Sequence, residues 1–325
     1  MDDILQLLNI GMSYKERLMQ INNIINQGNL NYLELNLTVI STTLNYVQNA
    51  YVINPSGMEN SKRGAKDGIV LFGYEKKNNR NRDNKDSNGD ITNTDNNLYS
   101  KNKLNSDTFN EDYNKNIVLN DFVFPIEEKD DNFNIYDIPN FAIYYNIEDG
   151  NYYIKDFNTG VGALMKIKKY IIEENTLINI GSNYLVVYIE RNRIIIKIFN
   201  NSILESRNMN DKNTMNCDLK EFGIQRDKDS FIYIGRSQNC NVIIEDMMLS
   251  KIQCSIEYNS REKKFYLNDG DGKKESTNGT WVFILNSTKI TNNFMFKAEH
   301  TLFVANLINR RNSLIKKINS INEKK

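Results

Sequence analysis

Five side chains in three short stretches have the types and spacing to grip an anion. They are Arg236 in "IGRSQNC", Ser250 and Lys251 in "MLSKIQC", and Thr277 and Asn278 in "ESTNGTW". An arginine presents a planar fork of donors that matches phosphate geometry. Ser250 and Thr277 add short hydroxyl donors, and Lys251 adds a point charge. Asn278 carries both a donor and an acceptor, which suits pairing with an extended backbone. Gly235 lets the chain turn before Arg236, and Gly279 frees the turn after Asn278. Plainer roles compete for each: a surface ion pair for Arg236, a turn cap for Ser250, a hairpin turn for Asn278-Gly279. Trp281 reads as core.

Catalysis has no comparable set. His300 is the only histidine, in "KAEHTLFVAN", where a late strand and a structural role are expected. No nucleophile and base share a motif, and there is no GxxxxGK[ST] loop and no kinase signature. Asp269 and Asp271 in "NDGDGKK" could hold a cation, but a solvated turn is the expectation. No enzyme activity, cofactor or metal is expected.

The 325 residues suffice for two domains, and 41 basic against 41 acidic side chains leave no net charge. Binding to nucleic acid or membrane through bulk charge is therefore not indicated. Cys217, Cys240 and Cys254 form no CxxC pair, which fits reduced thiols in an intracellular protein, nuclear or cytoplasmic. The acidic start "MDDILQLLNIGM" is unlike a signal peptide, and no run is long and apolar enough to span a bilayer.

The elements that must position the five side chains are strands. Residues 1–30 read as helix, with Ser13 and Glu16 as a capping box. Leu33, Leu35, Leu37 and Val39 then alternate as a half-buried strand does. Residues 75–116 are charged, nearly free of apolar side chains and read as a disordered insertion. Asparagine makes up roughly one residue in six of the chain, well above ordinary usage. Further alternating runs are Ile117–Leu119, Phe141–Tyr145, Tyr152–Lys155, Ala163–Ile167, Leu185–Ile189 and Ile194–Phe199. They argue a mainly β protein of sandwich type. An internal repeat is visible: "IVLFGY", "DIPNFAIYYN" and "YYIKDFNTGVGALMKI" parallel "FIYIGR", "MLSKIQCSIEYN" and "FYLNDGDGKKESTNGTWVFI" in the same order.

The three turns Gly235-Arg236-Ser237, Leu249-Ser250-Lys251 and Ser276–Trp281, in this order, resemble the forkhead-associated (FHA) domain over residues 193–308. That resemblance implies a β-sandwich whose loops bind phosphothreonine peptides, with Arg236, Ser250, Lys251, Thr277 and Asn278 at the ligand. The implied partner is a phosphothreonine-containing protein. An inert scaffold is the alternative. The family's histidine after the serine is replaced by Gln253, which can also donate and accept and so brace the loops. The repeat implies that residues 31–190 are a degenerate second copy. There Tyr74 stands at the arginine position, Pro139 near the serine and Val161 at the asparagine. The expected organisation is two tandem sandwiches, 31–190 and 193–308, with short flanking helices and a basic tail over 309–325. The asparagine bias resembles that of apicomplexan proteins and bears on no function.

Overall fold

The computed structural model describes residues 1–26, 32–42, 49–74, 120–124, 139–159, 162–173, 175–191, 193–200 and 217–310. The expected insertion, the strand at 117–119 and the tail beyond Arg310 lie outside these. The helices are α1 (Asp2–Leu7) and α2 (Tyr14–Asn26). Residues 1–30 were expected to be helical, with a capping box at Ser13 and Glu16. The break falls where Asn9 adopts a left-handed φ of 57° and where Ser13 Oγ accepts the Glu16 N–H at 3.3 Å to start α2.

The strands follow as β1 (Leu33–Thr42), β2 (Ala50–Asn54), β3 (Gly57–Met58), β4 (Ile69–Gly73), β5 (Phe122–Val123), β6 (Pro139–Asn146) and β7 (Asn151–Asp156). Next come β8 (Ala163–Ile167), β9 (Lys169–Ile171), β10 (Thr176–Ile180), β11 (Asn183–Glu190), β12 (Arg193–Asn200), β13 (Asp218–Gly223) and β14 (Ser230–Gly235). The last are β15 (Val242–Ile243), β16 (Cys254–Asn259), β17 (Lys264–Asp269), β18 (Thr280–Phe283), β19 (Thr288–Lys289), β20 (Phe294–Ala298) and β21 (Thr301–Asn309). Period-two burial holds in the long strands: Leu35, Leu37, Ile178, Ile180, Leu185, Val187, Ile194 and Ile196 all point into the core.

Three sheets result. The long one has the order β13-β12-β11-β10-β18-β8-β20-β21-β1-β2-β3. Two five-stranded sheets, β15-β14-β16-β17-β9 and β5-β4-β6-β7-β19, complete the structure, and one apolar core joins all three. The two short sheets have the same plan, each with a parallel pair at one end (β14 with β15, β4 with β5). The long sheet divides at the antiparallel β8–β18 pair into five strands from β18 to β13 and six from β8 to β3.

This topology corrects the expected division at 190/193. β9, β10 and β11 precede β12 in the chain but pair with β17, β18 and β12. Conversely β19, β20 and β21 pair with β7, β8 and β1. Residues 169–283 therefore close on themselves as one contiguous sandwich. It is inserted into the first sandwich, which is made of 33–167 and 288–309. Periodicity finds strands but carries no information about which distant strand completes each sheet.

The first sandwich is covered on its outer face. Ile4, Leu5 and Leu8 of the α1 segment pack on Ile69, Leu71, Ala142 and Tyr144, so β4 and β6 are buried on both faces. From α2, the buried Arg17 donates Nε to the Asp67 carbonyl at 2.7 Å and Nη2 to the Tyr145 carbonyl at 2.8 Å. Such a buried charge is tolerated only when it is fully hydrogen-bonded. No helix among the described residues is long and apolar enough to cross a membrane.

Candidate functional site

The site forms at one end of the inserted sandwich, where the loops after β14, β15 and β17 meet. β14 ends at Gly235. A Cβ there would lie 2.4 Å from the Lys251 carbonyl oxygen, so only glycine permits the approach. Two backbone bonds zip the loops together: Arg236 N–H to Ser250 O at 3.3 Å and Ser237 N–H to Lys251 O at 3.1 Å. Arg236 Nε donates to the Leu249 carbonyl at 2.8 Å, which fixes the plane of the guanidinium. Its two terminal amino groups have no acceptor among the described residues.

The second loop carries Ser250 and Lys251. Ser250 Oγ accepts the Thr277 N–H at 2.9 Å and lies 3.3 Å from Thr277 Oγ1. Lys251 is exposed at the rim. In the third loop, Asn278 Nδ2 donates to the Met248 carbonyl at 2.7 Å, leaving Oδ1 without a donor among the described residues. Gly279 holds φ +77°, and a Cβ there would meet Lys166 Cε at 2.5 Å. Trp281 is buried and donates Nε1–H to the Asn278 carbonyl at 3.1 Å, so it stiffens the turn from below. All five candidate residues are thus linked within one cluster.

Gln253 makes the brace. It is fully buried; its Oε1 accepts the Ser250 N–H at 3.0 Å, and Nε2 donates to Ser276 Oγ at 2.8 Å and to Gly279 O at 2.9 Å. One amide therefore ties the second loop to the third, and its donor and acceptor are both used. Beneath it sits Asp269, 3% exposed, accepting from Ser276 Oγ at 2.6 Å, Thr280 Oγ1 at 2.7 Å and Ser276 N–H at 3.1 Å. The expectation of a solvated turn is thus wrong for Asp269, a buried anchor. Asp271 does sit in the turn and caps it, accepting the Lys273 and Lys274 N–H groups at 2.9 and 2.7 Å. Among the described residues no His, Cys, Asp and Glu cluster could hold a metal ion.

Sequence reasoning missed several other participants. Asp246 organises the second loop, with Oδ1 accepting the Met248 N–H at 2.8 Å. Met247 and Met248 are exposed, 96% and 62%, beside Asn278. Lys166 and the turn at Gly181–Asn183 also reach the cluster, but they lie far upstream, and only the β8–β18 and β10–β18 pairings bring them there. His300 is not in a strand. It lies exposed in the turn between β20 and β21, beside Glu299, whose φ is 51°.

At the corresponding end of the first sandwich the chemistry differs. Phe141 pairs with the buried Asp156 as Cys254 pairs with Asp269, so Asn140 holds the station of Gln253. Pro139, expected near the Ser250 station, lies two residues after it and one place before the brace. Counting back, the Ser250 station is residue 137, outside the described residues, as is Val161. Asn140 Nδ2 donates to Glu299 Oε1 at 3.3 Å, and Tyr74 hydrogen-bonds the same carboxyl group. Burial pushes the Glu299 carboxyl above its usual range. An acidic group thus occupies the space beside the arginine-equivalent position. No curated protein and no solved structure matches the chain. Residues 232–302, from β14 to the start of β21 and including all three turns of the Arg236 cluster, match the family model described as FHA domain.

Proposed function

We propose that the Arg236 cluster binds a phosphothreonine-containing segment of a partner protein, making this chain a phosphorylation-dependent interaction module and not an enzyme. FHA domains recognise phosphorylated motifs in this way. The observation that carries the reading is Arg236: its guanidinium is fixed through Nε, while its two terminal amino groups have no protein acceptor among the described residues. A fixed fork with open donors is pre-organised for a dianionic phosphoryl group. Ser250 Oγ, Thr277 and Lys251 would complete the phosphate contacts, and Asn278 Oδ1 would accept from the peptide backbone.

The first sandwich reads as a degenerate copy of the same fold. Its matching strand order supports this. Tyr74 and Glu299 in place of the arginine argue against phosphate binding there. The test uses the full chain, titrated with a phosphothreonine peptide library of randomised flanks and with the dephosphorylated library. Binding confined to the phosphorylated pool supports the module. Equal or absent binding of both pools would leave an inert scaffold.

A further inference from the structure

The Ser250 loop is not held by its own neighbours alone. Asp246 Oδ2 accepts three hydrogen bonds from the β10–β11 turn: Ser182 Oγ at 2.8 Å, Asn183 Nδ2 at 2.9 Å and Ser182 N–H at 3.2 Å. Its other oxygen holds the Met248 N–H, and Met248 O in turn receives Asn278 Nδ2. Leu249, whose carbonyl fixes Arg236, is buried with Cδ2 2.9 Å from where a Gly181 Cβ would lie. A side chain at Gly181 would also meet Asp246 Oδ2 at 2.7 Å. One carboxylate therefore links a turn at residues 181–183 to both the arginine and the asparagine of the cluster. Burial acts to raise the Asp246 carboxyl, but the donors from Met248, Ser182 and Asn183 outweigh it and hold the group below its usual range. This geometry favours the ionised form.

The turn belongs to strands that precede β12 in the chain and lie outside the stretch matching the family. We propose that Ser182 and Asn183 are positioning residues for the phosphopeptide site, acting through Asp246 on the loop 246–250. Phosphopeptide affinity is therefore set in part by a segment upstream of the matched stretch. The inference rests on the phosphothreonine reading above. Ser182 is exposed and Asn183 buried, so Ser182 is the better probe.

The test is a double-mutant cycle in the full chain with Ser182→Ala, Asp246→Ala and the double variant. Each is titrated with the phosphothreonine library, and melting temperatures are recorded alongside. Each single variant is expected to weaken binding about fivefold to tenfold, since tenfold corresponds to about 1.4 kcal/mol. The double variant should be little weaker than Asp246→Ala, because both changes break the same link. Ser182→Thr keeps both donors and should bind as wild type, an outcome that general destabilisation would not produce. Wild-type binding with unchanged affinity in both single variants would overturn the positioning role alone, as would full additivity. A wild type that binds no phosphorylated peptide would remove the phosphothreonine reading, and this inference with it.

Discussion

Replacing Gln253 by leucine removes the amide that ties the second and third loops without changing side-chain size much. Three hydrogen bonds disappear: to Ser250 N–H, to Ser276 Oγ and to Gly279 O. At a net value of about 0.5–1.5 kcal/mol each, the loss is about 1.5–4.5 kcal/mol. The upper half of that range is expected, because the Ser250 N–H and the Gly279 carbonyl are stranded beside a buried apolar group. For a cooperative unit of this size, about 2–4 °C of melting temperature accompanies each kcal/mol. The midpoint should therefore fall by about 6–18 °C. Gln253→His retains a donor and an acceptor and should lose less than half as much. Thermal unfolding by circular dichroism reads both variants. Phosphopeptide titration below the midpoint should show about tenfold weaker binding for Gln253→Leu, because the Ser250 loop is no longer held. A leucine variant as stable and as tight as wild type would refute the brace.

Three other outcomes follow from the topology and the buried charges. The fragment 168–285 should fold with a cooperative transition, whereas 193–308 should not, because it lacks β9–β11 and strands β20–β21 from their partners; denaturant titration of the two fragments decides. Burial holds the Lys297 ammonium down at about 8, so the unfolded chain keeps that proton over a range where the folded chain has lost it. Stability from this group should therefore rise from about pH 8 to about pH 10.5, and Lys297→Met should flatten that rise in pH-dependent urea unfolding. Tyr74→Arg alone should not give the first sandwich phosphopeptide affinity, because Glu299 stays beside the new cation; phosphopeptide titration of this substitution on an Arg236→Ala background would expose any gain.

That the candidate residues lie together was legible because they sit in turns whose short-range sequence dictates their form. Gly235-Arg236, Leu249-Ser250-Lys251 and Asn278-Gly279 each combine a turn former with a donor, and strand alternation places them at strand ends. Gln253 was legible as a brace only through the resemblance, since it stands where the family has a bracing histidine and can likewise donate and accept. Asp269 was misread, since "NDGDGKK" has a solvated composition although the first Asp ends a buried strand. The pairing of strands was not legible. β8, β10 and β18 are all short and largely apolar, and the choice among partners is made by packing across the whole core, not by any local pattern. Ser182, Asn183 and Lys166 were invisible for the same reason. The break after α1 depended on one left-handed asparagine, a conformation asparagine only sometimes adopts.

The phosphate reading is tested most directly by comparing Arg236→Ala and Asn278→Ala in the full chain, each titrated with phosphothreonine peptide at low and high salt. Arg236→Ala removes a charge-assisted contact of about 1.5–3 kcal/mol, so affinity should fall about tenfold to a hundredfold. Its remaining binding should depend less on salt than that of wild type, because a screened attraction has been lost. Asn278→Ala should weaken binding while leaving the salt dependence nearly unchanged. Both variants should melt within a few degrees of wild type, since both side chains are exposed. A folded Arg236→Ala variant that bound the phosphorylated peptide as tightly as wild type, with the same salt dependence, would contradict the account.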